Sequence, residues 1–175
     1  MKRLVYLLIF YSLYSNAQYE SAEKIHYMRI EGGFQKYYLR TLDVDPTMNW
    51  LGYELNKEQD AWFANFIWGW DFEEKTLLGL GAGYLNYEGI NGVQVFSDIN
   101  FFISNTRVNP YLGLRGGYSH IWNQYTNGSG SFTGTFFVGI QYSFGTYSSL
   151  RLYLQSGLKY THQALFFPLS LGFQF

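Results

Sequence analysis

Hydrophobic and polar residues alternate with a period of two along most of this chain, which is typical of β-strands that place successive side chains on opposite faces. The alternation is clearest in residues 61–71, where Trp, Ala and Phe occupy every second position, and in residues 165–175, where Leu and Phe do so. The pattern predicts eight strands, at residues 26–38, 61–71, 76–88, 92–104, 109–122, 135–144, 150–160 and 165–175.

The predicted strands are longer than those of most soluble proteins, which average about 5 to 6 residues, and they are long enough to cross a membrane at a tilt, which takes about 9 to 11. Short connectors at residues 72–75, 105–108 and 145–148 contrast with long ones at residues 40–60 and 123–131. The pattern predicts an all-β fold, an eight-stranded antiparallel up-and-down transmembrane β-barrel with short turns and long loops at opposite rims.

Two local signals refine this prediction. Asn91-Gly92 is a typical tight-turn pair, so it predicts a hairpin between the third and fourth strands. Pro168 lacks an N–H group, and a closed barrel has no free edge where that lack is harmless. The proline therefore predicts either a bulge or a later start of the eighth strand.

Alternation alone does not say which face is outside, because a soluble periplasmic lipocalin-like binding barrel would show the same period. The less apolar face would meet water in such a protein, yet here it carries mainly Gly and small uncharged residues, which suit the narrow interior of an eight-stranded barrel. We therefore expect the apolar face to meet lipid. Aromatic residues near the strand ends predict two interfacial girdles: Trp62, Tyr84, Tyr118, Trp122 and Tyr160 at one rim, and Trp70, Tyr111, Tyr142, Phe144 and Phe173 at the other.

The N-terminus has the three regions of a secretory signal peptide. Lys2 and Arg3 precede an apolar run at residues 4–14, and Ser15-x-Ala17 supplies the small residues of a cleavage site. The apolar run is too short to span a bilayer as a helix. We expect residues 1–17 to be a cleaved signal peptide and residues 18–175 to form the barrel domain.

Composition excludes several classes of function. The chain has 12 Lys+Arg against 13 Asp+Glu, so its charge gives no reason to expect a nucleic-acid partner. The absence of Cys excludes disulfides, thiol nucleophiles and thiolate metal sites. No phosphate-binding loop or zinc motif is present, and we predict no catalytic, metal-binding or cofactor-binding site and no cofactor.

The signal peptide, the eight alternating strands and the final segment Leu169–Phe175 resemble the small OmpA-type and OmpX-type outer-membrane β-barrels. The resemblance implies a monomer in the outer membrane of a diderm bacterium, with both termini in the periplasm and the loop 40–60 outside. Its implied partners are the outer-membrane lipids and lipopolysaccharide, and the barrel-assembly machinery during insertion. In that family the terminal aromatic residue belongs to the assembly signal, a role that Phe173 and Phe175 match.

Six charged residues fall on the predicted inward face: Arg29, Glu31, Asp98, Arg115, Arg151 and Lys159. Charges in a narrow lumen must pair or form hydrogen bonds, because an isolated buried ion costs several kcal/mol. The network is interpreted as a structural plug. The alternative is a small ion-conducting or gated pore.

The resemblance implies a non-enzymatic structural or surface-interaction role, with Trp50 and Tyr53 of the first loop as candidate contacts for an extracellular ligand. A lipid A-modifying hydrolase or acyltransferase is a third hypothesis, since such enzymes exist on this fold. It requires a Ser close to one of the three His residues, and no strand has Ser and His two apart on one face. A Ser and a His within about 3 Å across strands would support it.

Overall fold

The structure is a computed structural model, which describes residues 25–40, 59–72, 75–104, 106–122, 128–144 and 150–175. The predicted signal peptide lies outside these residues. Eight antiparallel strands close into a barrel in sequence order, which confirms the predicted fold. Their bounds are β1 (Ile25–Arg40), β2 (Ala61–Phe72), β3 (Thr76–Tyr87), β4 (Ile90–Phe102), β5 (Val108–Ile121), β6 (Ser129–Ser143), β7 (Arg151–Thr161) and β8 (Ala164–Gln174). Among the described residues, no helix is long and apolar enough to cross a membrane.

The up-and-down order gives the barrel two distinct ends. We call the end where β1 finishes at Arg40 the upper end and the end that carries Phe175 the lower end. The β3–β4 and β7–β8 turns also lie at the upper end, as does the connection between β5 and β6. At the lower end, Phe175 exchanges two backbone hydrogen bonds with Met28 of β1, at 2.8 and 3.1 Å, which extends the seam between the first and last strands.

The two faces of the sheet have opposite character. Large apolar side chains point outward on all eight strands and remain exposed, for example Phe66 at 48%, Leu114 at 52% and Leu169 at 54%. Charged and amide side chains point inward and are buried. A soluble barrel buries its apolar face, so this arrangement rules out the lipocalin-like alternative and is that of a barrel surrounded by lipid.

The lumen is filled by aromatic side chains packed over glycines of adjacent strands. A Cβ atom added to Gly113 would collide with the ring of Phe137, and one added to Gly139 would lie 2.5 Å from Cζ of Tyr111. Because an eight-stranded barrel is only wide enough for side chains to fill it, each large ring needs such a small residue beside it. The inward-facing glycines can be recognised in the sequence, whereas the rings that occupy the space beside them cannot.

The predicted position of the β3–β4 hairpin turn was wrong. The turn residues are Glu88 and Gly89, with φ of 48° and 102°, and the Gly89 N–H donates to Asn86 Oδ1 at 3.1 Å. Asn91 and Gly92 lie inside β4, where they pair with Asn86 and Leu85. Two consecutive residues with positive φ match the right-handed twist of the strands, so a Glu occupies a backbone conformation that normally favours Asn or Gly.

Pro168 produces neither of the irregularities predicted for it. β8 begins at Ala164, and Pro168 pairs with Gln35 of β1 inside an unshifted ladder. On its other side the pairing with β7 is interrupted between Ser156↔Leu169 and Lys159↔Phe166, without a change of register. The Ser156 hydroxyl donates to the Pro168 carbonyl at 2.9 Å across this interruption. The bulge lies instead in β1, between Tyr37 and Leu39.

Candidate functional site

Three charged residues form the centre of the lumen. Arg115 of β5 donates from Nε to Asp98 Oδ1 at 2.9 Å, and its Nη1 lies 2.5 Å from Glu31 Oε1. Asp98 is the direct cross-strand partner of Arg115, whereas Glu31 belongs to β1. In a ring of eight strands β1 and β5 are four positions apart, so the Glu31–Arg115 pair joins opposite walls of the barrel.

Arg29 forms a second layer below this centre and is fully buried. Its Nη1 lies 3.5 Å from Asp98 Oδ2, and its Nη2 donates to Gln174 Oε1 at 3.1 Å. The guanidinium carbon lies 4.3 Å from the centre of the Tyr153 ring, a cation–π contact in a desolvated site. Asp98 therefore contacts two arginines at once.

Uncharged residues complete the coordination of the carboxylates. Glu31 accepts hydrogen bonds from Asn65 at 2.6 Å, Tyr153 at 2.9 Å and Gln155 at 3.1 Å, in addition to Arg115. Buried ion pairs are stable only when their remaining lone pairs are satisfied in this way. Sequence reasoning missed these partners, although each shares the inward parity of the charged residues on its strand.

The other two predicted lumenal charges lie apart from this centre. Arg151, at the lower end, is 3.8 Å from Asp71 and its side chain is 31% exposed. Lys159, above the centre, is 5% exposed, and its Nζ donates to the amide oxygens of Gln35 and Gln94 at 3.0 and 3.1 Å. Four of the six residues are therefore joined directly through Asp98 and Glu31. Lys159 is connected to Glu31 through the amides of Gln94 and Asn65, and Arg151 pairs separately with Asp71.

A Ser–His pair lies at the upper end of the lumen. Ser119 Oγ is 3.2 Å from Nε2 of His162, and both residues are buried. His162 belongs to the β7–β8 turn with φ of 46°, and its backbone N–H donates to Ser131 Oγ at 2.9 Å. Burial first, and then the charges of Lys159 and His120, lower the pKa of His162 to about 3, so its ring is neutral near pH 7.

This pair meets the distance criterion for a nucleophile and its base. Both side chains are buried, and neither residue lines the cavity between Lys159 and Arg115. Within the described part of the chain, no group of three His, Cys, Asp or Glu residues is placed to hold a metal ion. Strand spacing could not reveal the pair, because it depends on the register between β5 and a distant turn.

The remaining predicted residues lie outside the lumen or outside the described residues. Phe173 and Phe175 point outward at the lower end, 43% and 48% exposed. Trp50 and Tyr53 fall in residues 41–58, which the structure does not describe.

One residue of the predicted aromatic girdles was misplaced. Tyr111 is 1% exposed and donates from its hydroxyl to Gln155 at 2.8 Å inside the lumen. It shares the parity of Gly113 and Arg115, which fixes its inward direction. Other girdle residues do pair on the outer surface, as Trp62 and Tyr84 do at the upper end and Tyr142 and Phe144 at the lower end.

The fold matches solved structures, although no family model and no curated protein matches the sequence. Neisserial surface protein A (NspA) is similar with a TM-score of 0.65 at 11% identity, over 85% of this chain and 95% of that one. The N-terminal β-barrel domain of Pseudomonas aeruginosa OprF is similar with a TM-score of 0.56 at 14% identity, over 85% and 97%. The chain therefore has the fold of the small eight-stranded outer-membrane β-barrels.

Proposed function

We propose that the protein is a non-enzymatic integral protein of the outer membrane, and that it acts as a structural element of the envelope or through its extracellular loops. The observation that carries this proposal is the Glu31–Arg115 ion pair, which links opposite walls of a barrel whose exterior is apolar. The interior holds the barrel rigid, and the exterior meets lipid.

The same ion pair is evidence against a pore. Arg115 binds both carboxylates of the central layer, and the rings of Phe96 and Phe137 lie 4.4 and 5.3 Å from its guanidinium carbon. An ion crossing the lumen would have to break this layer, which would leave buried charges without partners at a cost of several kcal/mol. We therefore place the pore second among the candidate functions.

In this proposal, the loops at the upper end make the contacts with ligands outside the cell. The connection of residues 41–58, with Trp50 and Tyr53, leaves the barrel there, and so does the β5–β6 connection. With the termini in the periplasm, this end faces the exterior of the cell. Lipopolysaccharide would surround its apolar rim.

A complementation experiment separates the two roles. A deletion strain is complemented with the full chain or with a variant in which residues 43–56 are replaced by a short Gly/Asn linker. Both products are first checked in the outer-membrane fraction for a band that migrates faster in SDS before boiling. Detergent resistance and attachment of cells to surfaces are then measured. Rescue of resistance by both versions supports a structural role, and a phenotype restored only by the full chain supports a role of the loop.

Planar-bilayer recordings of the purified protein provide the opposing test. We expect no stepwise conductance from the full chain. Regular current steps that shift when Glu31→Gln is introduced would establish a gated pore and overturn the proposal.

A further inference from the structure

The lumen between Arg29 and Lys159 holds more basic than acidic side chains. Within the described part of the chain, these layers contain three basic side chains and two carboxylates, and both carboxylates are bound by arginines. Lys159 is 5% exposed, and its ammonium group donates to the side-chain amide oxygens of Gln35 and Gln94. Two of its three N–H donors are used by these amides, so one remains for another acceptor.

One further donor near Lys159 lacks an acceptor. Thr133 Oγ1 belongs to a residue that is 3% exposed, and it has no hydrogen-bond partner among the described residues. A hydroxyl can donate, and a buried donor left unsatisfied costs about 1 to 3 kcal/mol. This hydroxyl and the spare ammonium N–H together indicate an acceptor at this position.

A cavity joins these donors. Lys159 and Thr133 line a partly enclosed cavity of about 20 Å³, and Arg115 also borders it. No carboxylate is among its described lining residues. One water needs roughly 10 to 15 Å³ by this measure, so the cavity holds one or two small particles and excludes a phosphate or an organic acid.

We propose that this cavity binds a monatomic anion, which in an ordinary saline medium is chloride, held by the ammonium group of Lys159 with the Thr133 hydroxyl as a further donor. Water would satisfy these donors. A halide also supplies the negative charge that a buried ammonium group needs, since the ion pairs found among the described residues place no carboxylate on Lys159.

Diffraction from the unaltered protein tests this proposal without any substitution. Crystals of the full mature barrel grown in detergent are soaked in bromide in place of chloride, and anomalous difference maps are computed. We expect a bromide peak in the cavity, in contact with Lys159 Nζ. Density that gives no anomalous signal at that position would identify water and overturn the proposal.

A solution measurement adds matched variants. Binding to a protein broadens the NMR line of chloride. We expect a broader chloride line with the folded barrel in micelles than with empty micelles. Bromide should compete for the site and narrow the line again. Lys159→Met should abolish the specific broadening and Thr133→Val should weaken it several-fold. Lys36→Met is the control, because Lys36 points outward from the same part of β1 as Gln35.

Folding of each variant is checked by the change in gel mobility on boiling. Broadening that persists in folded Lys159→Met, or that is absent from the unaltered barrel, contradicts the proposal. If Lys159→Met does not fold, the proposal is tested by the bromide peak in the anomalous map and by the loss of chloride broadening in Thr133→Val.

Discussion

Asp98 and Arg115 are direct cross-strand neighbours on β4 and β5, and the same register that pairs their backbones brings the guanidinium within 2.8 Å of the carboxylate. Their contact is therefore fixed by strand register rather than by side-chain flexibility. Arg115 uses its remaining N–H groups to reach Glu31 across the lumen.

The first prediction concerns this arginine. Arg115→Met should lower the free energy of unfolding by about 3 to 5 kcal/mol, because it leaves Glu31 without its ion-pair partner in a buried site. Arg151→Met is the matched control: that pair spans 3.8 Å with a side chain 31% exposed, so we expect a loss of at most about 1 kcal/mol. Urea unfolding in lipid vesicles, followed by tryptophan fluorescence, measures both. Equal losses of unfolding free energy in the two variants would show that the central ion pairs stabilise the barrel no more than the more exposed pair does.

The second prediction tests the packing of rings over glycines. Gly113→Ala should cost about 1 to 3 kcal/mol, because the added methyl group collides with the Phe137 ring inside a filled lumen. Gly116→Ala, three residues along the same strand on the outer face, has its nearest heavy atom 4.0 Å away and should change stability by less than about 1 kcal/mol. The same unfolding assay applies. Partial recovery in Gly113→Ala/Phe137→Leu would locate the strain at that contact.

The strand count and the two faces could be predicted from the sequence because a period of two is a local property of the chain. Individual errors arose where residue type was weighed above parity, as for Tyr111, or where a common turn pair was preferred to the true one, as for Asn91-Gly92. The contact of Ser119 with His162 could not be predicted, since it depends on the register that successive hairpins set between β5 and the β7–β8 turn. A single misplaced turn shifts a strand along its neighbour by several ångströms.

The third prediction concerns the β3–β4 turn. Glu88→Asn should stabilise the barrel by up to about 1 kcal/mol, because Asn tolerates the left-handed conformation that Glu88 adopts at φ of 48°. Gly89→Ala should destabilise it although nothing lies within 4 Å of the added methyl, since φ of 102° is outside the range of L-residues. Urea unfolding of the two variants gives the test. If the urea midpoint of unfolding changes in neither variant, the conformation of this turn does not contribute to the stability of the barrel.

The fourth prediction concerns the chemistry of Ser119. A fluorophosphonate probe, which reacts with activated serines, should not label the folded barrel, because Ser119 and His162 are buried and the probe cannot reach them. Ser119→Ala serves as the background. Labelling of the folded chain that disappears in Ser119→Ala would show an activated nucleophile and return the hydrolase hypothesis to first place.

The last prediction is a pH dependence of stability that originates at His162. Its pKa is about 3 in the folded barrel and 6.5 for an ordinary histidine, so between these values the unfolded chain binds a proton that the folded chain does not. Stability from this residue is therefore complete above pH 6.5 and falls as the pH drops towards 3, by at most about 1.4 kcal/mol per pH unit. His162→Asn removes the titrating ring and tolerates the positive φ, so the difference between the two unfolding profiles isolates this contribution. If His162→Asn keeps the full slope between pH 3 and 6.5, the acid sensitivity comes from elsewhere and His162 does not remain neutral when folded.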